Sequence, residues 1–265
     1  MYDKTWDFLL IECVQRGLTE ECKTLIQNGY DVNARNLVGE TLLHLTNKPD
    51  VAKVLIENGA DVNARDPNER TPLHSVYNPD VAKVLIENGA DVNARDPNER
   101  TPLHSVYNPD VAKVLLEAGA EVNARDENGK TPLHYTRSDE VVALLLKHGA
   151  EVNAQDLDGN TPLHREFGIG LDVAMFLMTN GADVLIKNHF GQSPVDMAQT
   201  APFLFYGEKE NARVIDAMKA FEEKAVIKQA LQHSDKARDA AQEHQRVSGQ
   251  VNEDPAPTMK RSRRM

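Results

Sequence analysis

Histidine is the residue whose spacing in this chain most invites chemistry. Five of the nine, His44, His74, His104, His134 and His164, recur at an interval of 30 residues. An imidazole titrates near neutral pH, shuttles protons and binds zinc. The same interval weakens a metal reading. It puts each histidine in its own structural unit, and units packed helix on helix lie about 8–10 Å apart. Equivalent imidazoles then cannot converge on one ion through bonds of about 2 Å. His233 and His244 stand eleven residues apart and make no ligand pair. The acids behave alike: Glu57 returns as Glu87 and Asp61 as Asp91. Each is one of a surface series, not half of a unique general acid–base pair. No G-x-S-x-G, G-x-x-x-x-G-K-[ST], H-E-x-x-H or C-x-x-C string occurs. Cys13 and Cys22 are too few for a disulfide framework and are read as reduced helix residues of a cytoplasmic protein. The expectation is a non-enzyme with no catalytic residue, no metal and no cofactor.

The interval itself is the strongest signal in the chain. Thr-Pro-Leu-His begins at Thr71, Thr101, Thr131 and Thr161, and Thr-Leu-Leu-His at Thr41. Pro49–Leu85 and Pro79–Leu115 match at every position. Within one unit, proline after threonine suits an early helical position, where its missing N–H would be unpaired anyway. Asn78 can cap the next helix, with Pro79 at its first position and Asp80 at its positive end. Val81, Val84 and Leu85 give that helix one apolar face. Gly89 sits where a helix ends in a left-handed residue. A polar loop, Asp91–Arg100, then returns the chain. One such unit is too small to bury its apolar face, so neighbours must bury it for each other in a linear stack.

These strings closely resemble the ankyrin repeat, whose mark is T-P-L-H-x-A. The resemblance implies an all-α solenoid of about seven helix-turn-helix units with protruding hairpin-like loops. The units fall at about 8–40, 41–70, 71–100, 101–130, 131–160, 161–192 and 193–223, giving an array over 1–223. A helical extension at 224–246 and a disordered, basic-ended tail at 247–265 complete the reading. In the family the repeated histidine ties adjacent loops by hydrogen bonds. The asparagines of the Asp-Val-Asn-Ala segments, such as Asn63, Asn93 and Asn123, are read as turn formers, although the resemblance implies hydroxylation at such positions in animal cells. Two departures stand out. The usual repeat is about 33 residues long, so a spacing of 30 predicts a first helix shorter by about one turn. Glu69 and Glu99 replace the glycine found at Gly39, Gly129 and Gly159, with Pro67 and Pro97 as candidates to select another turn type.

Charge narrows the partner. A net −11 argues against nucleic acid, which needs a basic face. Four basic residues among the last six leave the first 259 at −15. No apolar run is long enough for a membrane span. Trp6 and Phe8 are read as packing on the next repeat. What survives is a monomeric protein-binding scaffold or adaptor, with a partner that has basic patches, working through a concave surface of loop tips and first helices. The alternative is a secreted effector resembling ankyrin proteins of intracellular bacteria, delivered into a host cell. The basic tail is then an export signal, a nuclear import patch or a solvated end. The candidate binding residues, taken as those least needed for packing, are Asn68, Arg70 and Tyr77, with their copies Asn98, Arg100 and Tyr107. Asn128, Lys130, Tyr135 and Arg137 follow, then Asp158, Asn160 and Arg165. Tyr77 and Tyr107 have a competing role as caps of the shortened helix.

Overall fold

The computed structural model describes residues 5–164, 170–200 and 207–250. Arg165 and the basic end at 251–265 lie outside them. Among the described residues the structure is helical, with one isolated antiparallel bridge, Arg35 to Thr41, and no strand. Helices α1 (Thr5–Arg16) and α2 (Thr19–Gln27) form the first pair. Single turns then alternate with nine-residue helices: α3 (Leu42–Leu45) with α4 (Pro49–Glu57), the 3₁₀ turn Pro72–Ser75 with α5 (Pro79–Glu87), and the 3₁₀ turn Pro102–Ser105 with α6 (Pro109–Glu117). Helices α7 (Pro132–Tyr135) and α8 (Asp139–Lys147) repeat the pattern. Then come α9 (Leu171–Thr179), α10 (Pro194–Thr200) and α11 (Gly207–Gln250). The first helix is thus one turn of four residues in each 30-residue unit, as its length requires.

The long helices stack in series, α2 on α4, α4 on α5, α5 on α6, α6 on α8 and α8 on α9, while the short turns form a second row. Each long helix has the same local causes. In α5, Asn78 Oδ1 accepts the Asp80 N–H at 2.9 Å and Pro79 opens the helix. The Gly89 N–H donates to Ile86 and the Ala90 N–H to Leu85, closing the helix through a left-handed Gly89 at φ +88. Val81, Ala82, Val84 and Leu85 are buried together, and Leu73, Leu103, Leu133 and Leu163 fill the row of short turns. Truncating one such leucine to alanine removes about 2–5 kcal/mol.

The first pair is a cap. Glu21 and Thr24 of α2 occupy the positions that Val51 and Val54 hold in α4, and they are exposed where those valines are buried. A terminal unit needs such a polar outer face. Phe8, expected to pack on the next repeat, is exposed; Leu10, Cys13 and Val14 are the buried residues of α1. The Trp6 side chain lies outside the described residues. At the other end, Val214 and Met218 of α11 are buried. The chain divides into two compact units between Lys219 and Ala220, and Val226, Ile227 and Leu231 of the second unit are exposed.

The loop turns are where expectation and structure differ most. Glu69 and Glu99 keep the left-handed conformation at φ +55 and +59, so Pro67 and Pro97 select no other turn. The loop is held in this shape by its aspartate: Asp66 Oδ1 accepts the N–H of Asn68 at 2.8 Å and of Arg70 at 2.9 Å. Each glutamate therefore carries strain of about 1–2 kcal/mol. Gly39 has no such latitude. Its φ is +83, and a Cβ there would lie 2.3 Å from Pro67 Cγ.

Two outcomes follow. Glu69→Gly should leave the protein as stable or raise its stability by up to about 1 kcal/mol, whereas Gly39→Ala should cost about 2 kcal/mol or more; urea titrations followed by circular dichroism compare them. Burial, with Cys13 and Glu21 adding to it, pushes the Cys22 thiol up to about 11, and burial followed by Glu21 and Glu12 raises Cys13. Both thiols are free. An aromatic disulfide reagent should find neither in the native protein and both after unfolding without reductant.

Candidate functional site

The repeated polar residues meet one another at the junctions between short turns and loops. Each histidine accepts at Nδ1 from the N–H and hydroxyl of the threonine three residues earlier. Its Nε2–H donates to the carbonyl that precedes the next unit: His44 to Arg70 at 2.9 Å, His74 to Arg100 at 3.0 Å, His104 to Lys130 at 3.2 Å. His134 reaches Asn160 and His164 reaches Gln192, both at 3.1 Å. Both ring nitrogens are engaged in every case, and the carbonyl fixes the Nε2–H tautomer. Burial is the main cause that lowers the pKa of His74, His104, His134 and His164. In the closing unit Asp196 takes the histidine position. It accepts from Ser193 N–H and Oγ, both at 2.9 Å, and these bonds hold its carboxyl below the usual range.

Asparagine and arginine build parallel ladders. Asn63 Nδ2 donates to Gly89 O at 3.0 Å while its Oδ1 accepts the Asp91 N–H at 2.8 Å. Asn33, Asn93, Asn123 and Asn153 bridge their own neighbours in the same way. Arg35 Nη1 donates to Gly39 O at 2.6 Å in its own loop and to Arg65 O at 2.7 Å in the next. Arg65, Arg95 and Arg125 continue that pattern.

A fourth ladder engages part of the candidate binding set. Arg70, Arg100 and Lys130 were expected to be dispensable for packing, yet each reaches a buried carboxylate in the next loop: Asp96 at 3.9 Å, Asp126 at 3.5 Å and Asp156 at 4.0 Å. Asn160 is itself buried, donating to Asp156 and accepting from Asn188 Nδ2 at 2.9 Å. Tyr135 is also structural. Its hydroxyl donates to Asp126 Oδ2 and accepts from Arg100 Nη2 at 3.0 Å, and the Arg100 guanidinium lies 4.9 Å from its ring centre. Burial and then Asp126 push the tyrosine up to about 12. Burial alone would raise Asp126, but the bonds from Tyr135 and from the Lys130 and Asn128 N–H groups outweigh it and hold the carboxyl low.

The remaining candidates face solvent. Asn68, Asn128 and Asp158 are exposed at loop tips, Asn98 is half-buried, and Arg137 is exposed. Tyr77 and Tyr107 are 76% and 62% exposed, so both face mostly solvent. They stand beyond the short turn from the loop tips, and the Tyr77 carbonyl accepts from Asn108 Nδ2 at 3.0 Å. Sequence reasoning missed four exposed apolar side chains at the tips: Leu37, Val38, Leu157 and Phe190. The signal was present, because these positions carry proline, asparagine, aspartate or glutamate in other repeats.

Comparison with known proteins adds the following. A family model described as ankyrin repeats, three copies, matches in overlapping placements at residues 10–96, 45–126, 75–156 and 103–188. No curated protein matches the chain. Among solved structures the chain is similar to the ankyrin repeat domain of Bcl-3, described as a unique member of the IkappaB protein family. The identity is 29% and the TM-score 0.58, over 79% of this chain and 97% of that one.

The histidine ladder makes stability depend on pH. The folded pKa values lie below the ordinary value of about 6.5 that the unfolded chain keeps, so unfolding favours proton uptake. The stabilisation is complete above about pH 6.5 and is lost as pH falls from there through the lowered folded values. The melting temperature should therefore drop between about pH 7.5 and 5, before the low carboxyls Asp126 and Asp196 protonate. A chain with His74→Gln, His104→Gln and His134→Gln should show a shallower slope; equal slopes would sink the assignment.

Proposed function

We propose that this chain, which belongs to the ankyrin repeat family, is a non-enzymatic protein-binding scaffold or adaptor that engages its partner through its loop and first-turn surface. One observation carries the reading: the five repeated histidines are committed to the scaffold, while Tyr77 and Tyr107 recur outward one unit apart. Five histidines have both nitrogens engaged. A linear stack lays its exposed groups in a row and gathers none of them around one reacting atom. Tyrosine is a frequent binding hot spot, combining a large apolar face with a hydroxyl. Tyr77 and Tyr107 supply it twice, within the matching stretches Thr71–Leu85 and Thr101–Leu115.

The partner is a protein with basic patches, met by the monomer in a reducing, cytoplasmic compartment. The acidic balance of the chain supports the charge preference and free, buried Cys13 and Cys22 support the compartment. No helix among the described residues is long and apolar enough to cross a membrane.

The test is affinity capture from cytosol with wild type and with the paired change Tyr77→Ala and Tyr107→Ala. Because both rings are exposed, the pair should leave helix content and melting temperature unchanged. It should weaken a captured partner by about tenfold or more. A wild type that enriches no protein over a loop-scrambled control would remove the scaffold reading.

A further inference from the structure

The row of loop tips engages most of its cations within the array and leaves some of its acids free. Arg35, Arg65, Arg95 and Arg125 direct their guanidinium groups at backbone carbonyls of their own and the next loop. Arg70, Arg100 and Lys130 reach buried Asp96, Asp126 and Asp156. These cations are thus engaged by acceptors of the array itself, although Arg35, Arg95 and Arg125 stay exposed, and Lys187 is exposed on the last loop. Some acids at the tips are left to solvent. Glu69 and Glu127 are exposed and have no ion-pair partner among the described residues, and Glu99 meets Arg95 at 3.3 Å.

The backbone of the first loops adds further acceptors. In the later loops a tip N–H bonds back to the preceding tip: Glu127 to Asn98 O, Leu157 to Asn128 O and His189 to Asp158 O, at 2.8–2.9 Å. Pro67 and Pro97 occupy the donor position in the earlier loops and have no N–H to give. The carbonyls of Val38 and Asn68 accept no such bond.

Apolar groups bracket these acceptors. Leu37 and Val38 are exposed on the first tip, and Leu157 and Phe190 on the last two. Six tips in sequence make five steps, and at about 8–10 Å per step the row is ~45 Å long.

We propose that the row of loop tips is a docking edge for an extended, lysine- or arginine-bearing segment of a partner protein that carries apolar side chains at both ends. This rests on the scaffold reading and moves its centre from the tyrosines to the tips. The basic side chains meet Glu69, Glu127 and the open carbonyls. The apolar ends cover Leu37 with Val38, and Leu157 with Phe190. An extended chain rises about 3.3 Å per residue, so ~14 residues span the edge.

The probe is a fluorescent peptide of about 16 residues, with leucine pairs at both ends and alternating lysine and serine between them. Its control has glutamate for lysine. Anisotropy should show the lysine peptide binding the full-length chain about tenfold or more tighter than the control, with affinity falling as salt rises. Leu37→Ser with Val38→Ser, and Leu157→Ser with Phe190→Ser, should each weaken it by about threefold or more. Glu69→Lys with Glu127→Lys should weaken it by about tenfold. Val226→Ser with Ile227→Ser, exposed on the second unit and no part of the edge, should leave it unchanged, and circular dichroism checks that every variant is folded. Equal affinity for the two peptides overturns the proposal, as do tip variants that bind like the wild type. Weakening by Tyr77→Ala with Tyr107→Ala alone overturns it while leaving the scaffold reading intact. Light scattering that finds a dimer, dissolved by the Leu37 and Val38 changes, reassigns the edge to a second copy of the chain and also overturns it.

Discussion

The bond from each histidine Nε2–H to the carbonyl that precedes the next unit sets the terms for the rest of the array. It ties the short helix that carries the histidine to the end of the loop that leads into the next unit, and that helix is only one turn long. A four-residue helix has almost no stability of its own. It persists because threonine, histidine and the carbonyl at the end of the following loop hold it from three sides. Each such bond contributes about 1 kcal/mol net, while a buried partner left unpaired costs about 1–3 kcal/mol. The asymmetry matters more than the gain. A unit displaced along the stack would strand asparagine, arginine and aspartate groups together, so these polar ladders fix register while valine and leucine supply the area.

This division of labour explains how the array accepts an exact copy of its own segment. Pro49–Leu85 and Pro79–Leu115 meet nearly the same neighbours above and below, so the copied helices bury the same Val, Ala, Val and Leu set. A globular core with one centre offers no second place for such a segment. A stack offers one at every step, and its stability grows by roughly one unit and one interface. The same geometry works against convergent chemistry. Groups one step apart can cooperate on a long ligand but not on a single reacting atom.

Much of this was legible from residue spacing because the physics is local. Asn78 before Pro79 and Asp80 announces a helix start, Gly89 its end, and a loss of three residues from the unit shortens the helix beside it. The ion-pair ladder was less legible. Arg70, Arg100 and Lys130 follow a turn and read as solvent-facing cations; only the stack reveals that the aspartate of the next loop, 26 residues on, waits for them. Asn160 lies in the same ladder and is buried for the same reason. Tyr135 offers a similar lesson, since its partners Arg100 and Asp126 belong to the loops on either side of a unit boundary. Leu37 and Phe190 failed to stand out because an apolar residue is ordinarily assigned to a core.

The left-handed glutamates show where the structure tolerates a conflict. A glycine in place of Glu69 or Glu99 would relieve the backbone, as it does at Gly129 and Gly159. Yet the loop does not change shape around the glutamates, because Asp66 and Asp96 each bind two N–H groups across the turn. The prolines beside them remove the tip-to-tip N–H that joins the later loops. Strain and a missing bond therefore coincide on the two identical tips, while the helices beneath them lose nothing. Since the helices, caps and ladders settle the fold, the tips are the one part of each unit free to depart from its neighbours. That freedom is what lets a row of nearly identical units present a surface that is not uniform along its length.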